Sequence, residues 1–292
     1  MIAIAGPNLP ITLLTATGRF EGVLAFDPDR ATPRSDGWLE TKFAPWARPL
    51  LETWAEGAYD DLEHVLFSRA DDTSQRLYYY ICELQRREHL GGPQPLILDV
   101  CKIPRGTSRT RTIAKLRELA DRLSVGTDTL GEAIARTNED RQASADSSGA
   151  PVCLLAGTPP PDWRLHEVIE FCGFAPAGST LTQEWLDAGP PVDKGNGDPF
   201  AALGEQLHAR QRGPRSFADA KSVLAKSIET AQPRAVILWR IEEDEAQCWH
   251  LPAEREALEF ANIPAFVMTR RDWLANDGAR EEIAAFLEGV KA

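Results

Sequence analysis

A chain of 292 residues, 43% hydrophobic and 26% charged, has the composition of a globular protein and the length for two medium-sized cores. Its 32 basic and 44 acidic side chains leave a formal charge of −12, which argues against nucleic acid as the main partner, because phosphate binding needs a basic face. No run approaches the roughly 18 apolar residues of a membrane span, and "MIAIAGPNLP" (1–10) lacks the basic n-region of a signal peptide; the expected location is the cytoplasm, with no membrane partner.

Taken in chain order, short apolar runs alternate with helical patterns, as α/β units with parallel sheets require. Strands are predicted at 22–26, 65–68 and 95–100 in the first half, and at 152–156, 235–240 and 265–269 in the second. After the second strand, Leu77, Tyr80, Ile81 and Leu84 recur at i, i+3, i+4, i+7, one face of a helix. Of the tyrosines 78–80, only Tyr80 falls on that stripe. "TSRTRTIAKLRELADRL" and "TDTLGEAIARTNEDRQ" then read as two helices with no strand between them, the second opened by a Thr129–Glu132 capping box. "ASADSSGAP" (143–151) has the composition of a linker. Leu165, Val168, Ile169 and Cys172 mark the next helix, and "DAGPPVDKGNGDP" (187–199) reads as a surface loop. Ile283, Phe286, Leu287 and Val290 share one side of the last helix, for which Asp277 is the predicted N-cap.

The expected fold is therefore α/β in two lobes, each a small parallel sheet flanked by helices (Rossmann- or flavodoxin-like), with bridging helices between them. The division is 1–106, 107–145 and 146–292.

Ligands of open parallel sheets bind beyond the carboxyl ends of the strands. Three junctions there draw attention. In "FSRADDTSQ", Asp72 with Gln75 suggests a helix cap, and Arg69 and Asp71 flank the cleft. In "LLAGTPPPDWRL", Gly157 and Thr158 end a strand and Asp162 is placed to cap the next helix. In "ILWRIEEDEAQCWHLP", a strand runs into the acids Glu242 to Glu245, for which a solvated loop is the more frequent fate. No glycine-rich phosphate loop and no Gly-x-Ser-x-Gly elbow occurs. The five cysteines, Cys82, Cys101, Cys153, Cys172 and Cys248, are scattered with no CxxC pair, which reads as reduced structural thiols.

Several local patterns, in order, resemble the 2-hydroxyacyl-CoA dehydratase and benzoyl-CoA reductase subunit family. They are "NLPITLLTATGRFEGVLAF" (8–26), "KFAPWARPLLETWAEGAYDDLEHVLFSRADDTSQRLYYYI" (42–81), "DVCKIPRGTSRTRTIAKLRELADRL" (99–123), "LGEAIARTNEDRQA" (130–143), "VCLLAGTPPPDWRLHEVIEFCG" (152–173), "GDPFAAL" (197–203) and "AVILWRIEEDEAQCWHLPAEREALEFANIPAFVMTRRD" (235–272). The resemblance implies an active cleft between two lobes. It also implies a cluster held there by three cysteines, a homologous partner subunit, and one-electron reduction of a CoA thioester.

The chain departs from that pattern where the chemistry is anchored. The positions that resemble the three cluster cysteines hold Ala44, Asp71 and, within a register of one or two residues, Asp244, with Cys248 the nearest thiol. Iron–sulfur clusters need thiolate ligands, so no cofactor is expected in this chain, and a [4Fe-4S] cluster is expected in a partner subunit. The first reading is an auxiliary subunit of a cluster-bearing homologue, or a homodimer, associated with an acyl-CoA ligand. The alternative is a repurposed small-molecule or divalent-metal-binding enzyme that uses the cleft carboxylates. An active dehydratase with an unconventionally held cluster ranks last; any activity would be that of a lyase or reductase on an acyl-CoA within a heteromer. The expected cleft residues are Arg69, Asp72, Gly157, Thr158 and Glu245. Lys42, Arg69, Lys102 and Arg105 stand near the expected cleft mouths, where CoA phosphates would lie, although surface charge is the favoured reading for each.

Overall fold

Two four-stranded, all-parallel sheets organise the computed structural model, which describes residues 1–142, 149–193, 197–210 and 217–291. The chain begins β1 (Ile2–Ala5), α1 (Ile11–Ala16), β2 (Phe20–Val23), α2 (Pro33–Trp38), α3 (Ala47–Ala55), β3 (His64–Ser68), α4 (Asp72–Arg86) and β4 (Gln94–Leu98). Two helices follow, α5 (Gly106–Leu123) and α6 (Thr127–Gln142). Next come β5 (Val152–Gly157), α7 (Arg164–Phe171), β6 (Ala175–Ala177), α8 (Leu181–Leu186), α9 (Pro199–Ala209) and α10 (Ala220–Ala231). The chain closes with β7 (Ala235–Ile241), a 3₁₀ turn (Glu245–His250), α11 (Leu251–Ala261), β8 (Ala265–Arg271) and α12 (Ala279–Lys291). No described helix is long and apolar enough to cross a membrane.

The strand orders are β2-β1-β3-β4 and β6-β5-β7-β8, so both sheets have the order 2-1-3-4, the flavodoxin-like arrangement of an α/β fold. Two compact units contain them. Met1–Leu39, Ala47–Asp146 and Trp185–Phe217 make up the first, and Glu40–Trp46, Ser147–Glu184 and Ala218–Ala292 the second.

In the first unit β1 is buried along its whole length, while edge strand β2 is half exposed. That contrast follows from a parallel sheet covered by helices on both faces. Trp54 of α3 stacks on Phe67 of β3 at 6.3 Å between ring centroids and meets Tyr59 edge-on at 5.8 Å. Its indole N–H donates to the Gly91 carbonyl at 2.8 Å, so the polar end of the ring is satisfied. Buried Glu52 of α3 accepts from the backbone N–H groups of Arg34 (3.0 Å) and Ser35 (2.9 Å), filling orphan donors in the first turn of α2. The tyrosine run divides by face: Tyr78 packs on Phe67 at 6.1 Å, Tyr80 is half-buried and Tyr79 is exposed. Helix α5 packs against α9, and α6 against α1 and α9. Gly204 lets α9 close on α5, since a Cβ there would lie 2.5 Å from Cγ1 of Ile113.

In the second unit β7 is buried at all seven positions, the signature of a central strand covered on both faces. On one face Val236 and Leu238 pack with Leu224 and Ile228 of α10 and with Ala257 and Leu258 of α11. With Ala231 on α10 and Ala261 on α11, the 224/228/231 and 257/258/261 sets recur at the three- and four-residue spacings that keep one helical stripe on the sheet. At the edge, Phe266 of β8 stacks on Phe286 of α12 at 5.4 Å.

Several sequence expectations require correction. Strands β1 and β6 have no predicted counterpart, because four residues of alternating Ile and Ala, and three residues containing Pro176, give too little pattern. Pro176 is tolerated because β6 is an edge strand. β2 lies earlier than the predicted 22–26. Helix α6 starts at Thr127, so Thr129 and Glu132 fall inside it and form no capping box. The stretch 187–199 is anchored where it is described: Val192 is buried and its N–H donates to Asn138 Oδ1 at 2.9 Å. Residues 143–148 of the predicted linker lie outside the described residues.

Candidate functional site

The order 2-1-3-4 creates a topological switch between the first and third strands of each sheet. There the connections leave in opposite directions and open a crevice at the carboxyl ends. In the first unit that point lies between β1 and β3. Gly6 follows β1 with φ +130°, and a Cβ there would lie 2.5 Å from Ser74 Oγ and 3.0 Å from Ser68 Cβ. The Ser74 hydroxyl donates to Ala5 O at 2.5 Å and accepts from Ser68 N–H at 2.8 Å, joining β1, β3 and α4. Asp71 is the N-cap of α4, its Oδ1 accepting from Ser74 N–H at 2.6 Å, a bond worth about 1 kcal/mol. This corrects the assignment of the cap to Asp72, which is exposed at the first helical position.

In the second unit the switch lies between β5 and β7. Gly157 ends β5 with φ +107°, and a Cβ there would overlap the Trp239 carbonyl oxygen of β7. Thr158 N–H donates to that oxygen at 2.8 Å. The Thr158 hydroxyl donates to Oδ2 of Asp244 and accepts from Ile241 N–H at 3.5 Å. Burial pushes the Asp244 carboxyl up from its ordinary range, against the opposing pull of the Thr158 hydroxyl and the Arg240 guanidinium. Cys248 Sγ lies 3.9 Å from Asp244 O.

Behind Asp244, Arg240 and Glu254 form a buried ion pair, with side chains 8% and 7% exposed. Glu254 is in the first turn of α11, where the helix dipole favours a carboxylate. Among the described residues, Arg240 Nε and Glu254 Oε2 have no hydrogen-bond partner.

Gly157, Thr158 and Asp244 are thus brought together, while the other expected site residues take separate places. Arg69 pairs with Asp99 at 3.0 Å, and Arg111 shares that carboxylate at 3.2 Å. Glu245 opens the 3₁₀ turn and is exposed. Lys42 and Arg105 are exposed, and Ala44 is half-buried. Asp162, ahead of α7, accepts from Arg164 N–H at 3.0 Å, and Asp277 accepts from Ala279 N–H at 3.3 Å.

No family model matches this chain, and no curated protein does. The donor set itself tests the cluster that the sequence resemblance implies. Alanine offers no ligand, Asp71 is engaged as a helix cap, Asp244 is engaged by Thr158, and both carboxylates are hard oxygen donors. These residues do not fit an iron–sulfur cluster. Among the described residues, no three His, Cys, Asp or Glu side chains gather as a metal site.

One of the four cations expected as surface charge lies elsewhere. Lys102 is buried rather than a surface charge. Its ammonium donates to Leu207 O at 2.8 Å, to Arg210 O, and to Asn8 Oδ1 at 3.4 Å, so it satisfies carbonyls at the C-terminal end of α9. Burial, and secondly the Arg210 guanidinium, lower its pKa from 10.5 to about 7. Between those two values the unfolded chain binds the proton and the folded chain does not. Stability is therefore expected to rise with pH across that window, at most by about 1.4 kcal/mol per pH unit. Urea unfolding from neutral to alkaline pH should show this slope in the native chain and lose it in Lys102→Met. Parallel curves for the two proteins would refute the assignment.

Proposed function

We propose that this chain is a cluster-free subunit similar to the 2-hydroxyacyl-CoA dehydratase and benzoyl-CoA reductase components, acting in the cytoplasm as the structural or auxiliary partner of a cluster-bearing homologue. In such a heteromer the partner carries the [4Fe-4S] cluster and the one-electron chemistry on a CoA thioester, and this chain completes or supports the substrate pocket. One observation carries the reading: the carboxylates at two of the three thiolate positions are spent on holding backbone and hydroxyl groups, and the third position is an alanine. The matching 2-1-3-4 sheets support the two-lobed arrangement that the reading needs.

Anaerobic purification provides the test. The isolated chain is expected to carry no iron and to co-purify with a cysteine-bearing homologue when both are expressed. A stoichiometric brown cluster in the isolated chain, or no association with such a partner, would sink this reading.

The raised carboxyl pKa of Asp244 favours one second reading, in which the chain binds a small molecule and Asp244 delivers a proton. Burial works against the charged carboxylate that a divalent ion would need, so within this alternative the acid role ranks above the metal-binding one.

A further inference from the structure

We propose that the 3₁₀ turn Glu245–His250 is a strap that opens and closes over the carboxyl end of β7, latched shut by the Thr158–Asp244 hydrogen bond. Asp244 stands at the N-cap position of this turn, where an aspartate ordinarily accepts from the turn's own N–H groups. Here it makes no such bond. Its Oδ2 accepts instead from the hydroxyl of Thr158, 86 residues earlier at the end of β5. The described turn has few other anchors. None of its six residues is buried, and Trp249, the side chain best suited to anchor it, is 86% exposed. Asp244 N–H donates to Ile241 O at 3.3 Å and Gln247 N–H to Asp244 O at 2.9 Å, and both bonds span only three residues, so neither ties the turn to another strand. Segments with little buried surface open first, and the carboxyl ends of parallel strands are where ligands enter.

The latch responds to protons. Thr158 faces Asp244 from β5, and Arg240 acts on it from β7 with Glu254 of α11 paired behind; Glu243, Glu245 and Cys248 flank it in the chain. Burial pushes the carboxyl up, against the pull of Thr158 and Arg240, while an open strap returns it to water and its ordinary value. The closed state therefore holds the proton more tightly than the open one. Closing is favoured as pH falls through the raised value and is opposed above it, where the carboxylate is ionised. The strap is a property of the isolated chain, independent of a cluster-bearing partner, so the two ideas stand or fall separately.

Hydrogen exchange of the full chain at neutral pH, read by mass spectrometry on peptides from β7 and from the turn, tests the strap. Thr158→Val keeps the side-chain shape and removes the hydroxyl. The turn's amides should then exchange at least about tenfold faster, as loss of a hydrogen bond to a carboxylate requires. Asp244→Asn keeps an acceptor for Thr158 and removes the charge, so the same amides should exchange more slowly than in the native chain. The β7 amides should exchange alike in all three proteins, which reports an intact fold. Equal turn exchange in the native chain and Thr158→Val, or faster turn exchange in Asp244→Asn, overturns the proposal. A rise that β7 shares also overturns it, because the turn would then open only with the strand.

Discussion

Gly157→Ala is expected to destabilise the second unit by about 3–5 kcal/mol, through overpacking and backbone strain together. The added methyl has nowhere to go. It would overlap the Trp239 carbonyl oxygen, a backbone atom inside the central strand, and φ +107° is a conformation that alanine rarely adopts. Relief would require β5 and β7 to part at the point where Thr158 N–H and its hydroxyl tie the two strand ends together. The Thr158–Asp244 arrangement should therefore be lost along with the stability. Gly126 serves as the control, since a Cβ there meets nothing within 4 Å. Urea midpoints for the two alanine variants should differ widely, and similar midpoints would show that the strand ends can separate at little cost.

Arg240→Met is expected to cost about 3–5 kcal/mol, because it leaves the buried Glu254 carboxylate without its counter-charge. The double variant Arg240→Met with Glu254→Leu should recover most of that loss, and can exceed the native stability. Two desolvated charges that leave Arg240 Nε and Glu254 Oε2 unsatisfied hold little net energy compared with well-packed apolar side chains. Thermal unfolding of the native, two single-variant and double-variant chains closes the cycle. If the double variant is as unstable as the singles, the pair stabilises the fold. If it recovers, the pair is not what holds the fold together.

The sheet-forming runs were readable because a central parallel strand must be apolar on both faces. The buried stretches at 65–68 and 235–240 announce themselves for that reason. Helix stripes such as Leu77, Ile81 and Leu84 were equally clear, their period fixed by helix geometry. β1 was not readable: four residues carry too little period, yet this strand sets the switch point of the first unit. With β1 in place, a parallel between the units becomes visible in the sequence. Ala5-Gly6 and Ala156-Gly157 both stand at the carboxyl end of the first strand of a 2-1-3-4 sheet, and both glycines have positive φ beside the third strand.

The candidate site divides in the same way. The strand-to-helix junctions pointed to Thr158 and to the acidic run that holds Asp244 separately. Hydrogen bonds then assigned roles that no spacing encodes. Asp71 rather than Asp72 caps α4, because the cap depends on where the backbone turns helical, and adjacent aspartates are alike to a pattern. Lys102 was placed at the surface for a related reason: a lysine is read as surface charge unless its three carbonyl-type acceptors, all about a hundred residues away, are known to surround it.

By itself the sequence determined the α/β class, most of the strands and the faces of the helices. Only the tertiary structure decided that Trp185–Phe217 belongs to the first unit and that the crevice of the second is closed by Thr158 on Asp244. The division has a physical cause. Periodicity reports local burial, which neighbouring residues fix, whereas partners across a parallel sheet are set by crossover connections that bring together side chains 86 residues apart.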